Sequence, residues 1–181
     1  MKPAPGLDHL AQQLSAVERC AYFALMTARK VQWPLDVPTL DKHRLDVDWF
    51  EPLAALNERF AKWQDVMGAT MRHTADLLAE PTEPYLRVLV FFEKQGVIPS
   101  AEYWQGLRRM RNEAAHQYDL NPVGVVAHFN ALNDQLPTLL TCTLQLASFC
   151  KSQLHCVPAD IALQGRLQTL QAAMTQGMNV P

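Results

Sequence analysis

Apolar residues recur at the spacing of an α-helix along nearly the whole chain. A side chain at every third or fourth position builds one apolar face per helix, and such a face is stable only when another element covers it. No stretch alternates apolar and polar residues as a half-buried strand does, and there is no glycine-rich phosphate loop or internal repeat. The sequence therefore predicts an all-α helical bundle.

Prolines and glycines divide this pattern into separate helices. We expect a first helix over about residues 7–31 and a second helix whose apolar stripe runs from residue 56 to residue 78. Between them, residues 33–52 are expected to form a long irregular connection, because three prolines interrupt the pattern: Pro34, Pro38 and Pro52. A short third helix is expected to end at Gly96 and to face the core with three side chains: Leu86, Leu89 and Phe92.

The second half of the chain carries clear helix-start signals. Ser100 is a suitable N-cap for a fourth helix, which should run to about Tyr118. Asn121 followed by Pro122 predicts the start of a long fifth helix, kinked at Pro137. We expect residues 1–156 to form the bundle, with four to five core helices, and residues 157–181 to form an extension with one short amphipathic helix.

Composition limits the classes of function. With 49% apolar and 19% charged residues among 181, the chain is predicted to be globular and long enough to bury a core. The formal net charge of −2 gives no overall attraction to nucleic acid, so any such binding must depend on local positive charge. No apolar run approaches the roughly 20 residues that span a bilayer, so we expect no membrane partner.

The cysteines and histidines do not predict a metal or cofactor site. With no C-x-x-C pair and no recognisable secretory signal, we expect reduced thiols in a cytoplasmic protein, at four positions: Cys20, Cys142, Cys150 and Cys156. His73 and Asp76 lie three residues apart on the second helix, but two ligands do not make a metal site.

The fourth helix contains an exception to the apolar pattern. Trp104, Leu107, Ala114 and Tyr118 form its apolar stripe, and Arg111 lies in the middle of that stripe. Burying a guanidinium without a partner is costly because it cannot lose its charge. We therefore expect Arg111 to meet a carboxylate, an anionic ligand, or a cleft open to water.

His116 is five residues from Arg111, which corresponds to about 140° around the helix. It shares a polar face with Asn112 and Arg109 instead. Arg111 and His116 reach a common substrate either if the long arginine wraps around the helix or if two copies of the helix face each other. The second geometry makes a symmetric homodimer the simpler arrangement.

The residue types in this segment suit phosphodiester chemistry. Arg108, Arg109 and Arg111 form a local cationic patch that can bind phosphate oxygens, and Arg111 can also stabilise charge that develops on phosphorus. His116 can take a proton from a ribose 2′-OH or give one to a leaving oxygen. Such a mechanism requires no metal ion.

Three segments resemble one family. Arg111-x-x-x-x-His116-x-Tyr118 resembles the R-x-x-x-x-H-x-Y signature of HepT-like HEPN proteins, and Asn112 is in the expected place after the arginine. Residues 59–65, RFAKWQD, are similar to the R-F-x-R-x-Q-D stretch of that family. Residues 92–100, FEKQGVIPS, followed by a tryptophan, resemble its E-K-x-G-x-I-P-S approach to the motif helix. The resemblance covers about residues 54–150.

The resemblance implies an up-and-down bundle that dimerises through the motif helix and cleaves RNA without a metal ion. It implies that Arg111 and His116 are catalytic, with Asn112 as an orienting group. The implied partner is a small nucleotidyltransferase antitoxin that transfers AMP to Tyr118, which would place a phosphate beside Arg111. The chain departs from many relatives at positions 113–115, where it has Glu-Ala-Ala.

Two other interpretations of the motif remain open at this point. In one, the protein is a non-catalytic subunit that presents a substrate to a nucleotidyltransferase. In the other, the bundle has no active site and Arg111 merely anchors the dimer.

Overall fold

The computed structural model describes residues 5–117 and 121–175, with side chains described over 6–111 and 121–174. This part of the chain forms seven helices and contains no strand, which confirms the all-α bundle expected from the apolar spacing. The helices are α1 (Pro5–Ala28), α2 (Val37–Lys42), α3 (Val47–Leu77), α4 (Tyr85–Lys94), α5 (Ala101–Gln117), α6 (Pro122–Leu154) and α7 (Ile161–Thr175).

Helix α3 is the centre of the bundle and contacts α1, α4, α5 and α6. Its apolar stripe is fully buried, and the largest side chains on it are Phe60, Trp63, Met67 and Met71. Trp63 also meets a polar partner, because its Nε1 donates a hydrogen bond of 2.9 Å to Oγ1 of Thr143 on α6. The core therefore contains a satisfied polar contact between two of its longest helices.

The expectation of an irregular connection over residues 33–52 is wrong. Helix α2 lies inside that range, and α3 begins at Val47, so Pro52 lies within a helix. Asp36 and Asp46 cap the two helices by accepting hydrogen bonds from the backbone N–H groups of Thr39 and Trp49. Pro38 lies in the first turn of α2, where the N–H groups have no helical partner, whereas Pro52 lies inside α3, where tertiary packing outweighs the lost hydrogen bond.

A small second core holds this region against α6. Leu35, Leu53 and Phe129 are buried together there. The side-chain amide of Asn130 binds both polar backbone groups of Leu35. It accepts a hydrogen bond from the N–H at 2.8 Å and donates one to the carbonyl at 2.9 Å. The prolines thus occupy a segment that is fixed by burial and by hydrogen bonds rather than by helix propensity.

The caps of the next three helices agree with the sequence. Helix α4 ends just before Gly96, whose φ of +68° is the left-handed conformation expected there. Ser100 Oγ accepts from the N–H of Tyr103, and Asn121 Oδ1 accepts from the N–H of Val123. The prediction that Leu86 faces the core is wrong. Its side chain is 48% exposed, and Val88 is buried instead, because α4 packs through adjacent rows of side chains.

Helix α6 continues through Pro137 as one element of 33 residues, as expected. After it, residues 156–160 run across α1: the Cys156 thiol contacts the Leu7 carbonyl, and the N–H of Asp160 donates to Ser15 Oγ at 3.0 Å. Asp160 also caps α7 through the N–H of Leu163. Helix α7 then packs on α1 and α6 and contributes Leu167 and Leu170 to the main core.

Candidate functional site

The start of α5 is fixed on two sides. Its first N–H groups would otherwise lack acceptors. Ser100 Oγ accepts from Tyr103, and Oε2 of Glu93 on α4 accepts from the N–H of Ala101 at 2.8 Å. Trp104 and Leu107 are buried on the inner face, as the helical wheel predicted. The apolar stripe and the caps together set the rotation of the helix that carries the motif.

Arg111 meets a carboxylate, one of the three surroundings expected for it. Its Nη1 donates to Oδ1 of Asp65 on α3. The Arg111 side chain is 22% exposed and that of Asp65 is 62% exposed, so the pair lies at the edge of the bundle and remains accessible to a ligand. A charged hydrogen bond at a partly solvent-shielded position therefore fixes the orientation of the guanidinium.

The three arginines of the predicted patch lie in different surroundings. Arg108 and Arg109 are exposed, while Arg111 is half-buried beside Asp65. The guanidinium of Arg108 lies 5.6 Å from the centre of the Tyr85 ring at the start of α4. Arg72 on α3 lies 5.3 Å from the centre of the same ring. Arg108 is therefore grouped with Arg72 and Tyr85, which the sequence did not bring together.

The remaining motif side chains lie outside the described residues. The backbone of α5 is helical through Gln117, so Asn112 and His116 are on this helix, but their side chains are not among those described. Tyr118 lies outside the described residues altogether. Their roles therefore stay predictions.

A groove of about 680 Å³ runs along α3 beside this site. Its wall includes both arginines that flank Tyr85, together with Asp65, whose carboxylate holds Arg111. The other lining residues are Gln64, Gly68, Ala69, His73, Asp76, Thr82 and Trp104. The groove thus connects the Tyr85 region to the Arg111 ion pair.

Gly68 allows Tyr85 to approach α3 closely. A Cβ atom at position 68 would lie 2.7 Å from the Tyr85 hydroxyl oxygen, which is too close for a normal contact. Burial raises the pKa of Tyr85, while the nearby Arg108 guanidinium, a hydrogen bond with Trp104 and Arg72 oppose that rise. Tyr85 therefore stays a neutral phenol at physiological pH and provides an aromatic surface that both arginines contact.

Sequence reasoning missed Arg72 and Tyr85 as site residues. Arg72 is one of several polar residues on α3, and Tyr85 follows a proline-rich turn, so neither has a distinctive spacing to the motif. The only local signal is Gly68, a glycine in the middle of a long helix, which often marks a close approach of another element.

A buried carboxyl lies at a second location, between α1 and α7. The Glu18 side chain is 1% exposed, and neither of its oxygens has a hydrogen-bond donor in good geometry among the described residues. Burial raises its pKa from 4.5 to about 7; the nearby Gln164 lowers it and the Asp160 charge raises it further. This carboxyl is remote from the motif on α5 in the sequence and packs on a different pair of helices.

Other chemistry has little support in the described structure. All four cysteines are unpaired, and burial raises the pKa of Cys142 to about 12 and that of Cys150 to about 11, so these thiols are poor nucleophiles. No group of three or more His, Cys, Asp or Glu side chains within the described residues is arranged to hold a metal ion. Likewise, none of the helices in the described ranges is long and apolar enough to cross a membrane.

Comparison of the chain with protein-family models, with curated proteins and with solved structures finds no match in any of the three.

Proposed function

We propose that the protein is a metal-independent ribonuclease toxin that acts as a cytoplasmic homodimer and is inhibited by a small nucleotidyltransferase antitoxin. The observation that carries the proposal is the Arg111–Asp65 pair. It holds the motif arginine at the edge of the bundle, next to a groove that contains two further arginines. A guanidinium oriented in this way is suited to bind a phosphodiester and to stabilise negative charge on it.

In the proposed reaction, His116 takes the proton of the ribose 2′-OH as the 2′-oxygen attacks phosphorus. The bond from phosphorus to the 5′-oxygen breaks, and that oxygen takes a proton from a His116 imidazolium, which gives a 2′,3′-cyclic phosphate and a 5′-hydroxyl end. Arg111 stabilises the charge on the phosphoryl oxygens. Asn112 orients the phosphate or the imidazole of His116. Arg108 and Arg109 hold the neighbouring phosphates.

Dimerisation and control follow from the same motif. Because Arg111 and His116 diverge around the helix, groups from two copies of α5 would act together across a symmetric interface. AMP transfer to Tyr118 by the antitoxin would add a phosphate near Arg111 and block the cleft.

Purified protein and a fluorescently labelled RNA test the proposed activity. We expect wild type to cleave the RNA in the presence of EDTA, and His116→Ala and Arg111→Gln to lose at least about 100-fold in kcat/KM. The matched controls are His155→Ala and Arg166→Gln, which remove the same groups at exposed positions far from α5 in the sequence. Absence of cleavage by wild type, or equal cleavage by all variants, contradicts the proposal.

Expression in cells separates the toxin from a harmless nuclease. The wild-type gene expressed alone should arrest growth, and His116→Ala should relieve the arrest. Co-expression of a neighbouring nucleotidyltransferase gene should relieve it too, with AMP added to wild type but not to Tyr118→Phe. Full modification of Tyr118→Phe would contradict the assigned target.

A second candidate is a non-catalytic subunit that presents a substrate to a nucleotidyltransferase. It is favoured by the net charge of −2, which gives weak general affinity for RNA. This candidate predicts no growth arrest and no RNA cleavage. It predicts instead a stable complex with the nucleotidyltransferase that forms equally well with His116→Ala.

A further inference from the structure

The middle of the groove on α3 concentrates positive charge around one aromatic ring. The guanidiniums of Arg72 and Arg108 lie 5.3 Å and 5.6 Å from the centre of the Tyr85 ring. Arg72 also forms a 3.1 Å ion pair with Glu83, whereas Arg108 forms no ion pair with any described carboxylate. Two cations thus contact one neutral ring, and Arg108 lacks an anionic partner within the described residues.

The wall of the same groove contains a polar atom without a partner. Gln64 is 2% exposed, and its Nε2 donates to the carbonyl of Trp104 at 3.4 Å. The Oε1 atom of the same amide is buried and has no hydrogen-bond donor among the described residues. A buried acceptor without a donor costs free energy, so a ligand that brings an N–H group to this wall would recover it.

We propose that the groove is a subsite for one nucleotide of an RNA strand. Its phosphate binds Arg72 and Arg108, and an N–H group of its base donates to Oε1 of Gln64. A bare phosphate ion would bind the arginines but has no N–H group to donate to the glutamine. Every nucleotide has both a phosphate and a base with at least one N–H donor.

The other charges of the groove limit this site to modest affinity. The carboxylate of Asp65 is already paired with Arg111, so it does not repel a phosphate strongly. Asp76 also lines the groove, one helical turn beyond Arg72, and carries no ion pair among the described residues. Only the two arginines therefore hold the phosphate. Such modest affinity is what one contact among several along an RNA strand requires.

The subsite deepens the proposed ribonuclease function and rests on it for the identity of the strand. Arg108 precedes Arg111 by three residues, which is about 4.5 Å along the axis of α5. Asp65 belongs both to the groove wall and to the Arg111 pair. A strand whose nucleotide occupies the groove therefore leads directly to the motif arginine.

Binding of an uncleavable strand tests the phosphate contact. The probe is a 12-nucleotide 2′-O-methyl RNA of mixed sequence, which lacks the attacking hydroxyl, and the readout is fluorescence anisotropy as a function of salt. Arg72→Gln and Arg108→Gln should each weaken binding about 3- to 10-fold and reduce the slope of log affinity against log salt by about 0.7. Arg166→Gln on α7, which removes the same charge away from α3 and α5, should change neither.

Binding to an abasic strand of the same length tests the base contact. Gln64→Met keeps the length of the side chain and removes the acceptor. It should weaken binding of the mixed-sequence strand about 5- to 10-fold and leave the affinity for the abasic strand unchanged. Equal losses on both strands, or no loss on either, overturn the base contact.

The outcomes separate the subsite from the ribonuclease. If wild type binds the strand and the arginine variants weaken it, but no RNA is cleaved, the subsite stands and the catalytic proposal fails. If wild type cleaves RNA while Arg72→Gln and Arg108→Gln bind and cleave like wild type, the subsite fails and the ribonuclease stands. If wild type does not bind the uncleavable strand at all, the subsite is overturned.

Discussion

Arg111 on α5 donates a hydrogen bond to Asp65 on α3, a residue 46 positions earlier in the chain. Asp65 closes the first of the three segments that resemble HepT-like HEPN proteins, and Arg111 opens the motif in the last. The contact therefore links two segments whose relationship is invisible in the linear sequence. In the proposed ribonuclease reaction, this contact would orient the guanidinium before a phosphate binds, and such preorganisation contributes most in the transition state.

Removing the Asp65 charge tests this orientation. Asp65→Asn keeps the size of the side chain but weakens the hold on Arg111, so we expect kcat for RNA cleavage to fall about 10- to 100-fold with little change in KM. The free energy of unfolding should change by less than about 1 kcal/mol, because the pair is partly exposed. Asp134→Asn, on the exposed side of α6, is the control. A variant that cleaves like wild type would show that Arg111 needs no positioning partner.

Two glycines should respond to alanine in opposite directions. A Cβ at Gly96 or at Gly165 meets no atom within 4 Å, so packing does not distinguish them. Gly96 has a φ of +68°, whereas Gly165 lies inside helix α7. Gly96→Ala should therefore destabilise the protein by about 1 kcal/mol, and Gly165→Ala should stabilise it by about 0.5–1 kcal/mol. Urea unfolding measures both, and the same sign for the two would refute the backbone explanation.

Removing only one partner of the Trp63–Thr143 hydrogen bond should destabilise the protein more than the bond itself stabilises it. Thr143→Val keeps the shape but leaves the indole N–H without its acceptor, so we expect a loss of about 1–3 kcal/mol in the free energy of unfolding. Adding Trp63→Phe to that variant removes the orphaned donor, and the double variant should lose less than the sum of the two single ones. Thr169→Val, at an exposed site on α7, is the control for the threonine change. Strict additivity would show that the bond contributes nothing.

The buried Glu18 should make stability depend on pH. Its pKa rises from 4.5 to about 7 because burial disfavours the charged form, so the folded state holds a proton that the unfolded state loses above pH 4.5. The contribution of Glu18 to stability is therefore full below pH 4.5 and is lost progressively up to about pH 7, by about 2–3 kcal/mol in total.

The matching experiment compares wild type with Glu18→Gln by urea unfolding from pH 4.5 to 8. The advantage of the glutamine variant should grow with pH up to about 7 and then level off. Glu58→Gln, at an exposed site on α3, should show no such trend. A difference between wild type and Glu18→Gln that is flat across this range would mean that folding does not raise the pKa of Glu18.

Helix positions were predictable because burial on one face leaves a period in the sequence. The caps at Ser100, Gly96 and Asn121 were predictable for the same local reason, since each acts within a few residues of itself. The connection over residues 33–52 was not, because Pro38 fits the first turn of α2, Pro52 is accommodated inside α3, and the compensating contacts come from α6. Local rules describe a helix in isolation and carry no information about what covers it.

The candidate site was only half predictable for a similar reason. The helical wheel showed that Arg111 needs a partner, and the carboxylate was one of the expected surroundings, but a wheel of α5 cannot identify Asp65. The pairing of Arg108 with Arg72 across Tyr85 depends on how α3, α4 and α5 cross. These crossings are set by the sum of many core contacts.

The contact of residues 156–160 and α7 with α1 has a consequence for how the chain acquires its structure. Helix α1 is synthesised well before α7, yet Leu167 and Leu170 cover part of its apolar side and Asp160 binds it at Ser15. During synthesis that side stays open until residue 170 has emerged, more than 140 residues after α1 ends. We therefore expect this bundle to complete its folding late in translation, and the side of α1 that α7 covers to be exposed to chaperones until then.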